Sequence, residues 1–427
     1  LRNNLELPVP AGFVISTHAF RAFLDHNNLQ AVIDEALSRL DITSPESLHR
    51  FSDDISALIT NAEIPPAIAA NIADSFRVLR KKHGDAVQVA MRSSAGLEDS
   101  ATSFAGQYHT ELHVHQGSVL TAYKRVVAGK YSPRALYYRI NNGLSDLDTP
   151  MAVLVLVMVD AVASGVIYTA DPADAAAQTM TIHSLWGLGE LLVGGEISPD
   201  VVLLDRKPTP HIIERRLGDK FQEMTADPRG AVQIADVDEN RRHAISLSNS
   251  DALELARIAL EIESLYGEPQ DIEWCQGKDK ALYILQARPL RCEAELSHQN
   301  LPEEAEITAP VLFQGGECAS SGLANGRLFF LENDQQLQEV PAGSILVAQS
   351  TLPVYVKVMD RLEAIITERG SVAGHFASVA REFGLPALVN GGPAVRQLSN
   401  GMEVTICAHK KTIYQGLIPL PPRQNPA

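Results

Sequence analysis

The sequence predicts an α/β (α+β) chain in which a larger domain is followed by a smaller one. Three observations lead there. Segments with helical and strand periodicity alternate through residues 1–297. A polar, acidic, proline-flanked stretch at 298–310 then reads as an interdomain linker. After it, residues 311–416 form a Gly-rich unit of short strand patterns with one clear helix. A chain of 427 residues also suits two or three domains better than one.

In chain order, residues 8–15 are apolar and strand-like. Thr17 is placed to cap a helix running through Phe20, Phe23 and Leu24. Residues 64–82 have helical spacing, with Pro65 and Pro66 at the start, where proline is tolerated. Residues 86–92 alternate, with Val87, Val89 and Met91 on one face, as in a strand. Residues 151–159 read as a buried strand, and 165–169 as another after a break at Ala163-Ser164. Residues 252–266 are helical until Gly267-Glu268-Pro269 stops them. In the smaller unit, strands are expected at 327–331, 344–347, 364–367 and 402–407. The tail, 417–427, reads as unstructured or as the approach to a further domain.

Composition excludes several function classes. Thirty-six Lys and Arg against 52 Asp and Glu leave a formal charge of −16. That is a poor basis for binding nucleic acid or an anionic membrane, which needs a basic face. An anionic ligand would need a local basic pocket or a metal ion. Cys275, Cys292, Cys318 and Cys407 show no C-x-x-C spacing, which points away from zinc sites and disulfide frameworks and towards a reducing cytoplasm. The most apolar run, 152–159, is far too short to span a membrane. No signal-peptide pattern is present. The chain begins at Leu1 and enters an apolar segment at once, so it reads as cut into from the left.

Two segments carry the chemistry. Residues 270–275 and 281–289 are strand patterns joined by a polar turn with Asp279-Lys280 at its tip. Folded as a hairpin, they set Asp271 opposite Arg288 and Glu273 opposite Gln286. Side chains two apart share a face, so these four point one way, with Ile272, Trp274, Leu285 and Ala287 on the apolar side. Two carboxylates and an amide oxygen suit Mg²⁺ held together with substrate phosphates, and the guanidinium suits a phosphate oxygen. The plainer alternative is a solvated face with a surface salt bridge. The second segment is Gly370-Ser371-Val372-Ala373-Gly374-His375, which precedes a helix over 376–383 that stops at Gly384. Phe376, Val379, Ala380 and Phe383 form its stripe. His375 then sits in the first turn, where the positive helix end keeps imidazole neutral and favours an attached phosphoryl group. An ordinary surface or capping His is the alternative. Weaker signals are Arg92-Ser93-Ser94-Ala95 before Glu98-Asp99, able to grip a phosphate, and close-approach turns at Gly187-Leu188-Gly189-Glu190 and Gly194-Gly195-Glu196.

Together these segments resemble the phosphoenolpyruvate synthase and pyruvate phosphate dikinase family. The matching motifs run in order: Val9-Pro10-Ala11-Gly12-Phe13, then Met91-Arg92-Ser93-Ser94-Ala95-Gly96-Leu97-Glu98-Asp99, then 103–107. They continue with S-G-V-x-x-T-x-D-P at 164–172, G-L-G-E at 187–190, Asp271-Ile272-Glu273-Trp274, 286–289, Gly322 to Gly326, and H-x-x-x-x-A-R-E-x-G-x-P at 375–386. The resemblance implies an ATP-grasp-like nucleotide domain followed by a swivelling β/β/α domain whose histidine carries a phosphoryl group. ATP would pass its terminal two phosphates to that histidine and release AMP, and the group would then travel to pyruvate. Carried over residue by residue, Arg92 is similar to the phosphate-gripping Arg and Asp271 to the ATP-site Asp. Glu273 and Gln286 resemble the metal-side ligands, Arg288 a second phosphate contact, and His375 the phosphoryl carrier. Met158 and Val159 lie where the adenine hinge is expected. ATP and Mg²⁺ are the implied cofactors. Pyruvate or phosphoenolpyruvate would be met through a following barrel domain, which would also form a homodimer.

Three departures stand out. The family's Gly-Gly-Lys segment would precede Leu1, and its pyruvate barrel would follow Ala427. Ala373 replaces a Thr that is regulatory in some members, and Ser371 replaces a Gly, so hydrogen bonding before His375 must differ. A fragment of a synthase is the first expectation. The alternatives are a dikinase-type enzyme with another acceptor and a degenerate nucleotide-binding module.

Overall fold

A computed structural model describes residues 1–42, 44–95, 109–141, 143–174, 176–226, 232–290, 292 and 309–420; at a few positions, His375 among them, it describes the backbone alone. Glu98-Asp99, 103–107 and most of the 298–310 segment therefore lie outside the described residues. The chain packs as two compact units. One is Val9–Asp160 with Ala226–Gln233; the other is Leu1–Pro8, Ala161–Thr225 and Ile234–Ala427. Among the described residues no helix is long and apolar enough to cross a membrane.

The first unit has a four-stranded antiparallel sheet in the order β1-β4-β2-β3, made of β1 (Gly12–Ile15), β2 (Val89–Ala95), β3 (Thr110–Val114) and β4 (Met151–Val157). Its helices are α1 (Thr17–His26), α2 (Leu29–Ser38), α3 (Pro45–Asn61), α4 (Pro66–His83), α5 (Val119–Ala128) and α6 (Pro133–Asn141). Of these, α1 and α4 were expected. The cap of α1 is Ser16, whose Oγ accepts from Ala19 N, and Thr17 is already helical. Phe20, Phe23, Ile59, Phe76, Met91, Val153 and Val155 share the core. Against it lies a buried charge node: the Lys130 ammonium and the Arg139 guanidinium meet Asp146 Oδ1 at 3.0 and 2.9 Å.

The second unit opens with a six-stranded antiparallel sheet in the order β12-β11-β5-β6-β7-β8. Its strands are β5 (Ala161–Tyr168), β6 (Thr179–Trp186), β7 (Asp200–Asp205), β8 (Ile212–Arg216), β11 (Gln270–Gly277) and β12 (Leu282–Pro289). The strands β9 (Gln222–Ala226) and β10 (Val232–Asp236) form a separate two-stranded ribbon, and α7 (Glu190–Val193) and α8 (Glu239–Arg242) are short. The break expected at Ala163-Ser164 is absent, because β5 lies between β11 and β6 and is laddered on both edges. Helix α9 (Asn249–Tyr266) is capped by Ser248, whose Oγ accepts from Asp251 N, and stops at Gly267 with φ +78°. It buries Leu255, Ala259 and Ile262 against Ile182, Ile272, Trp274 and Ile284 of the sheet.

Residues 311–415 build a mixed eight-stranded sheet in the order β13-β20-β19-β15-β16-β17-β18-β14. The strands are β13 (Val311–Gln314), β14 (Glu317–Ser320), β15 (Leu323–Phe330), β16 (Ser344–Ala348), β17 (Leu362–Thr367), β18 (Ala387–Val389), β19 (Glu403–Cys407) and β20 (Thr412–Gln415). From β15 to β18 the pairing is parallel. Strand alternation feeds two cores. Leu346 and Ile365 meet Phe376, Val379 and Ala380 of α10 (His375–Glu382) on one face. Ile345, Val347, Ile366 and Ile406 pack on the other. Phe383, expected in the α10 stripe, is 43% exposed instead. It caps the helix, and Gly384 at φ +59° turns the chain so that Leu385 fills the core.

Candidate functional site

The hairpin register is the expected one: β11 and β12 set Asp271 opposite Arg288 and Glu273 opposite Gln286. Past Glu273 the register shifts by a bulge, and Trp274 faces Ile284 instead of Leu285. Ile284 therefore takes the core place expected for Leu285. Trp274 is fully buried under α9 and anchors the apolar face.

On the polar face, Arg288 Nε and Nη2 both donate to Asp271 Oδ2, at 2.8 and 2.6 Å. Asp271 is 5% exposed, and its Oδ1 has no hydrogen-bond partner among the described residues. Burial pushes the Asp271 carboxyl up, and Arg288 opposes that. Burial also works against the Arg288 charge, but the Asp271 and Glu273 carboxylates outweigh it and hold the guanidinium protonated. Glu273 and Gln286, directly across from one another, are half-buried. Among the described residues no group of three or more His, Cys, Asp or Glu side chains is placed to hold a metal by itself. Two side-chain oxygens beside an unpartnered carboxylate oxygen instead fit a Mg²⁺ ion completed by phosphate oxygens and water.

The strand next to the hairpin links it to the His375 loop. Tyr168 of β5 is the cross-strand partner of Asp271. It is buried, and its phenol is pushed up to about 12 by burial and then by Asp271. The Tyr168 hydroxyl donates to the carbonyl of Val372 at 3.4 Å. Arg381 of α10 donates to the same carbonyl at 3.3 Å and to that of Ala319 at 2.9 Å, and its guanidinium lies 5.9 Å from the Tyr168 ring. The charge of Arg381 also acts on Asp271. Ala373 is buried with Val166, Tyr168, Leu191 and Leu192.

Around His375 the backbone is defined. Ser371 is fully buried; its Oγ accepts from Ala373 N at 3.1 Å and its carbonyl from Gly374 N at 3.0 Å. Gly374 is the N-cap, and His375 is the first residue of α10. Both glycine turns are close approaches. At Gly187, φ +73°, an added Cβ would strike the Met224 carbonyl. At Gly195, φ +72°, it would strike Thr351 Oγ1, which donates to the Gly195 carbonyl at 3.3 Å.

The remaining site residues are in the other unit. Arg92 is half-buried on β2, paired with Thr110 of β3 and Leu154 of β4. Met158 follows β4, and its N–H donates to the Gln88 carbonyl at 2.9 Å; Val159 comes next, one residue before the unit ends at Asp160 and two before Ala161 begins β5. The structure thus gathers Asp271, Glu273, Gln286 and Arg288 on one hairpin, holds the His375 loop against the neighbouring strand, and sets Arg92 on β2, with Met158 and Val159 just past the end of β4. Tyr168 was not singled out from the sequence. Its signal was only its place inside the S-G-V-x-x-T segment. Arg381 was likewise visible only as part of the motif after His375.

The model of the pyruvate phosphate dikinase AMP/ATP-binding domain matches residues 1–309, and that of the PEP-utilising enzyme mobile domain matches 340–411. A probable phosphoenolpyruvate synthase of Methanothermobacter thermautotrophicus is 35% identical over 415 residues, covering 96% of this chain and 59% of that protein. The phosphoenolpyruvate synthase of Deinococcus radiodurans is 35% identical over 419 residues (96% and 53%), and that of Neisseria meningitidis serogroup B 36% over 429 residues (96% and 54%). The chain spans a little over half the length of these curated relatives. It belongs to the pyruvate phosphate dikinase AMP/ATP-binding domain family and carries a PEP-utilising mobile domain after that domain.

Proposed function

We propose that this chain performs the first half-reaction of a phosphoenolpyruvate synthase: ATP-dependent phosphorylation of His375. A nitrogen of His375 bonds to the terminal two phosphates of ATP, and the bond to AMP breaks. Water then removes the outer phosphate, leaving phosphohistidine, and the mobile domain delivers the group to pyruvate bound elsewhere in the protein. Residues 1–297 are the nucleotide domain, 298–310 the linker, 311–416 the mobile domain and 417–427 a tail leading on. The setting is the cytoplasm, and a following domain binds pyruvate and forms the homodimer.

Each residue has a physical task. Arg288, fixed by two bonds to Asp271 Oδ2, presents a guanidinium whose orientation is set before nucleotide arrives. Arg92 grips a second phosphate. Glu273 and Gln286 would hold Mg²⁺, which would supply charge neutralisation for the nucleotide phosphates. Met158 and Val159 face adenine. Gly374 and His375 open α10, so the transferred anion meets free N–H groups at the helix start.

One observation supports the reading above the others. Tyr168 pairs across the strand with Asp271 and hydrogen-bonds the loop three residues before His375. Carrier loop and hairpin therefore share one neighbour. The test uses the full-length protein with Mg·ATP labelled in the β-phosphate. AMP and an acid-labile phosphoprotein are expected, the label should vanish in His375→Ala, and chelation of Mg²⁺ should stop both. Equal labelling of His375→Ala would end the carrier assignment. Tight ATP binding without AMP release would favour a nucleotide-sensing module instead.

A further inference from the structure

The two ends of the reaction meet across strand edges. Strand β8 is the last strand of the six-stranded sheet and β14 the last of the eight-stranded one. Arg216, at the end of β8, donates from Nη1 to Glu317 Oε1 of β14 at 2.7 Å. The Glu317 side chain is 8% exposed and that of Arg216 48%. A second polar bridge lies beside it: Ser198 Oγ donates to Asn390 Oδ1 at 2.7 Å, and Asn390 also hydrogen-bonds the Glu317 carboxylate. Asn390 is held at φ +55°, a left-handed conformation that non-glycine residues rarely adopt. Arg216 and Ser198 belong to the nucleotide side of this unit, Glu317 and Asn390 to the mobile-domain side.

This bridge differs from the rest of the contact. Among the described residues the other links include a main-chain carbonyl held by Tyr168, a Thr351 hydroxyl on Gly195, Arg369 stacked 4.8 Å over Phe221, Arg381 over the Tyr168 ring, and Ala373 in an apolar cluster. Arg216–Glu317 pairs two opposite charges. Glu317 is buried and depends on a cation from the other side: burial pushes its carboxyl up, and Arg216 opposes that first, then Lys411. When the pair separates, Glu317 regains water, which offsets the lost attraction to the half-exposed Arg216, so the pair sets the docked register at little net cost to release. An apolar patch of similar size would resist opening.

We propose that Arg216 and Glu317, with Ser198 and Asn390, form a releasable latch that sets how long the His375-bearing part stays docked at the nucleotide half. They are positioning residues: they act through the docked population. The proposal rests on the reading of His375 as carrier.

The full-length protein tests it by two readouts. In Arg216→Glu, AMP formation at saturating Mg·ATP should fall about tenfold or more, with half-saturation by ATP changed by less than about twofold. Hydrogen exchange at the β8 and β14 amides should quicken in the same variant. The charge-swapped double, Arg216→Glu with Glu317→Arg, should recover to within about threefold of the parent in both readouts. A double no better than the worse single, or an Arg216→Glu protein equal to the parent in rate and exchange, overturns the latch. If Glu317→Arg fails to fold, Arg216→Ala and Glu317→Gln serve instead; their effects on exchange should be non-additive, and additive effects overturn the proposal. If the parent releases no AMP, the functional reading fails, and exchange alone still decides the latch.

Discussion

Asp271 is the residue on which the site's electrostatics turn. Its carboxylate is buried and answered by a guanidinium that donates twice to the same oxygen. Removing one partner of such a pair leaves an uncompensated charge. Arg288→Ala should therefore cost about 3–5 kcal/mol by urea unfolding at neutral pH, and Asp271→Asn in that background should return part of it. The deficit should shrink in acid, because a carboxyl raised by burial sheds its charge there. His183 makes a second prediction. It is buried on β6 with neither ring nitrogen hydrogen-bonded among the described residues, and its ring meets Tyr168 edge-on at 5.9 Å. Burial, then Arg216 and Arg381, press its pKa from an ordinary 6.5 to about 3. Between those values the unfolded chain binds the extra proton. Stability is then full above pH 6.5 and declines as pH falls towards 3, by up to ~5 kcal/mol. His183→Leu should flatten the acid limb of urea midpoint against pH, and parallel curves for variant and parent would refute the assignment.

At the scale of elements, the β11–β12 hairpin was legible because it is local. Its strands are joined by a short turn, so pairing follows from turn position and alternation. Asp271, Glu273, Gln286 and Arg288 fell into place on that basis, and only the bulge past Glu273 escaped, since one extra residue leaves no mark in an alternation pattern. Trp274 closes the other face, and Trp274→Ala should cost about 3–5 kcal/mol in urea unfolding. The Gly194-Gly195 turn was legible as a close approach, but not that Thr351 is what it approaches. Gly195→Ala meets both a left-handed φ and Thr351 Oγ1, so a loss of about 1–3 kcal/mol is expected. Thr351→Ala in the same chain should recover some of it; no recovery would mean that the backbone conformation alone carries the cost. Helices α2, α3, α5 and α6 were missed, as were β13, β14, β18 and β20. Strands of three or four residues carry too few alternations to be seen in sequence.

For the whole molecule, packing and chain order divide the chain differently. Sequence pattern separates residues 311–416 from what precedes them, whereas compaction groups them with residues 161–225. The mobile part nevertheless has apolar cores on both faces of its own sheet. A fragment covering residues 309–420 should fold alone, with native-like circular dichroism and a cooperative urea transition; a broad, non-cooperative transition would show that docking supplies its stability. Among the described residues its contacts with the preceding part of the unit lie outside these cores and include Ala373 in a shared cluster, Val372 under Tyr168, and Glu317 facing Arg216. That division suits the proposed carrier role, in which the domain leaves and returns without unfolding.

By itself, the sequence determined the fold class, the hairpin with its four polar residues, and His375 at the start of a helix capped by glycine. Each rests on interactions within a few residues of chain, where periodicity, turn chemistry and capping act directly. Only the tertiary structure decided that Tyr168 links Asp271 and the His375 loop, that Leu385 replaces Phe383 in the core, and that Arg216 meets Glu317. Those pairs lie up to about two hundred positions apart. Their encounter is selected by the burial of whole faces, which no local pattern encodes.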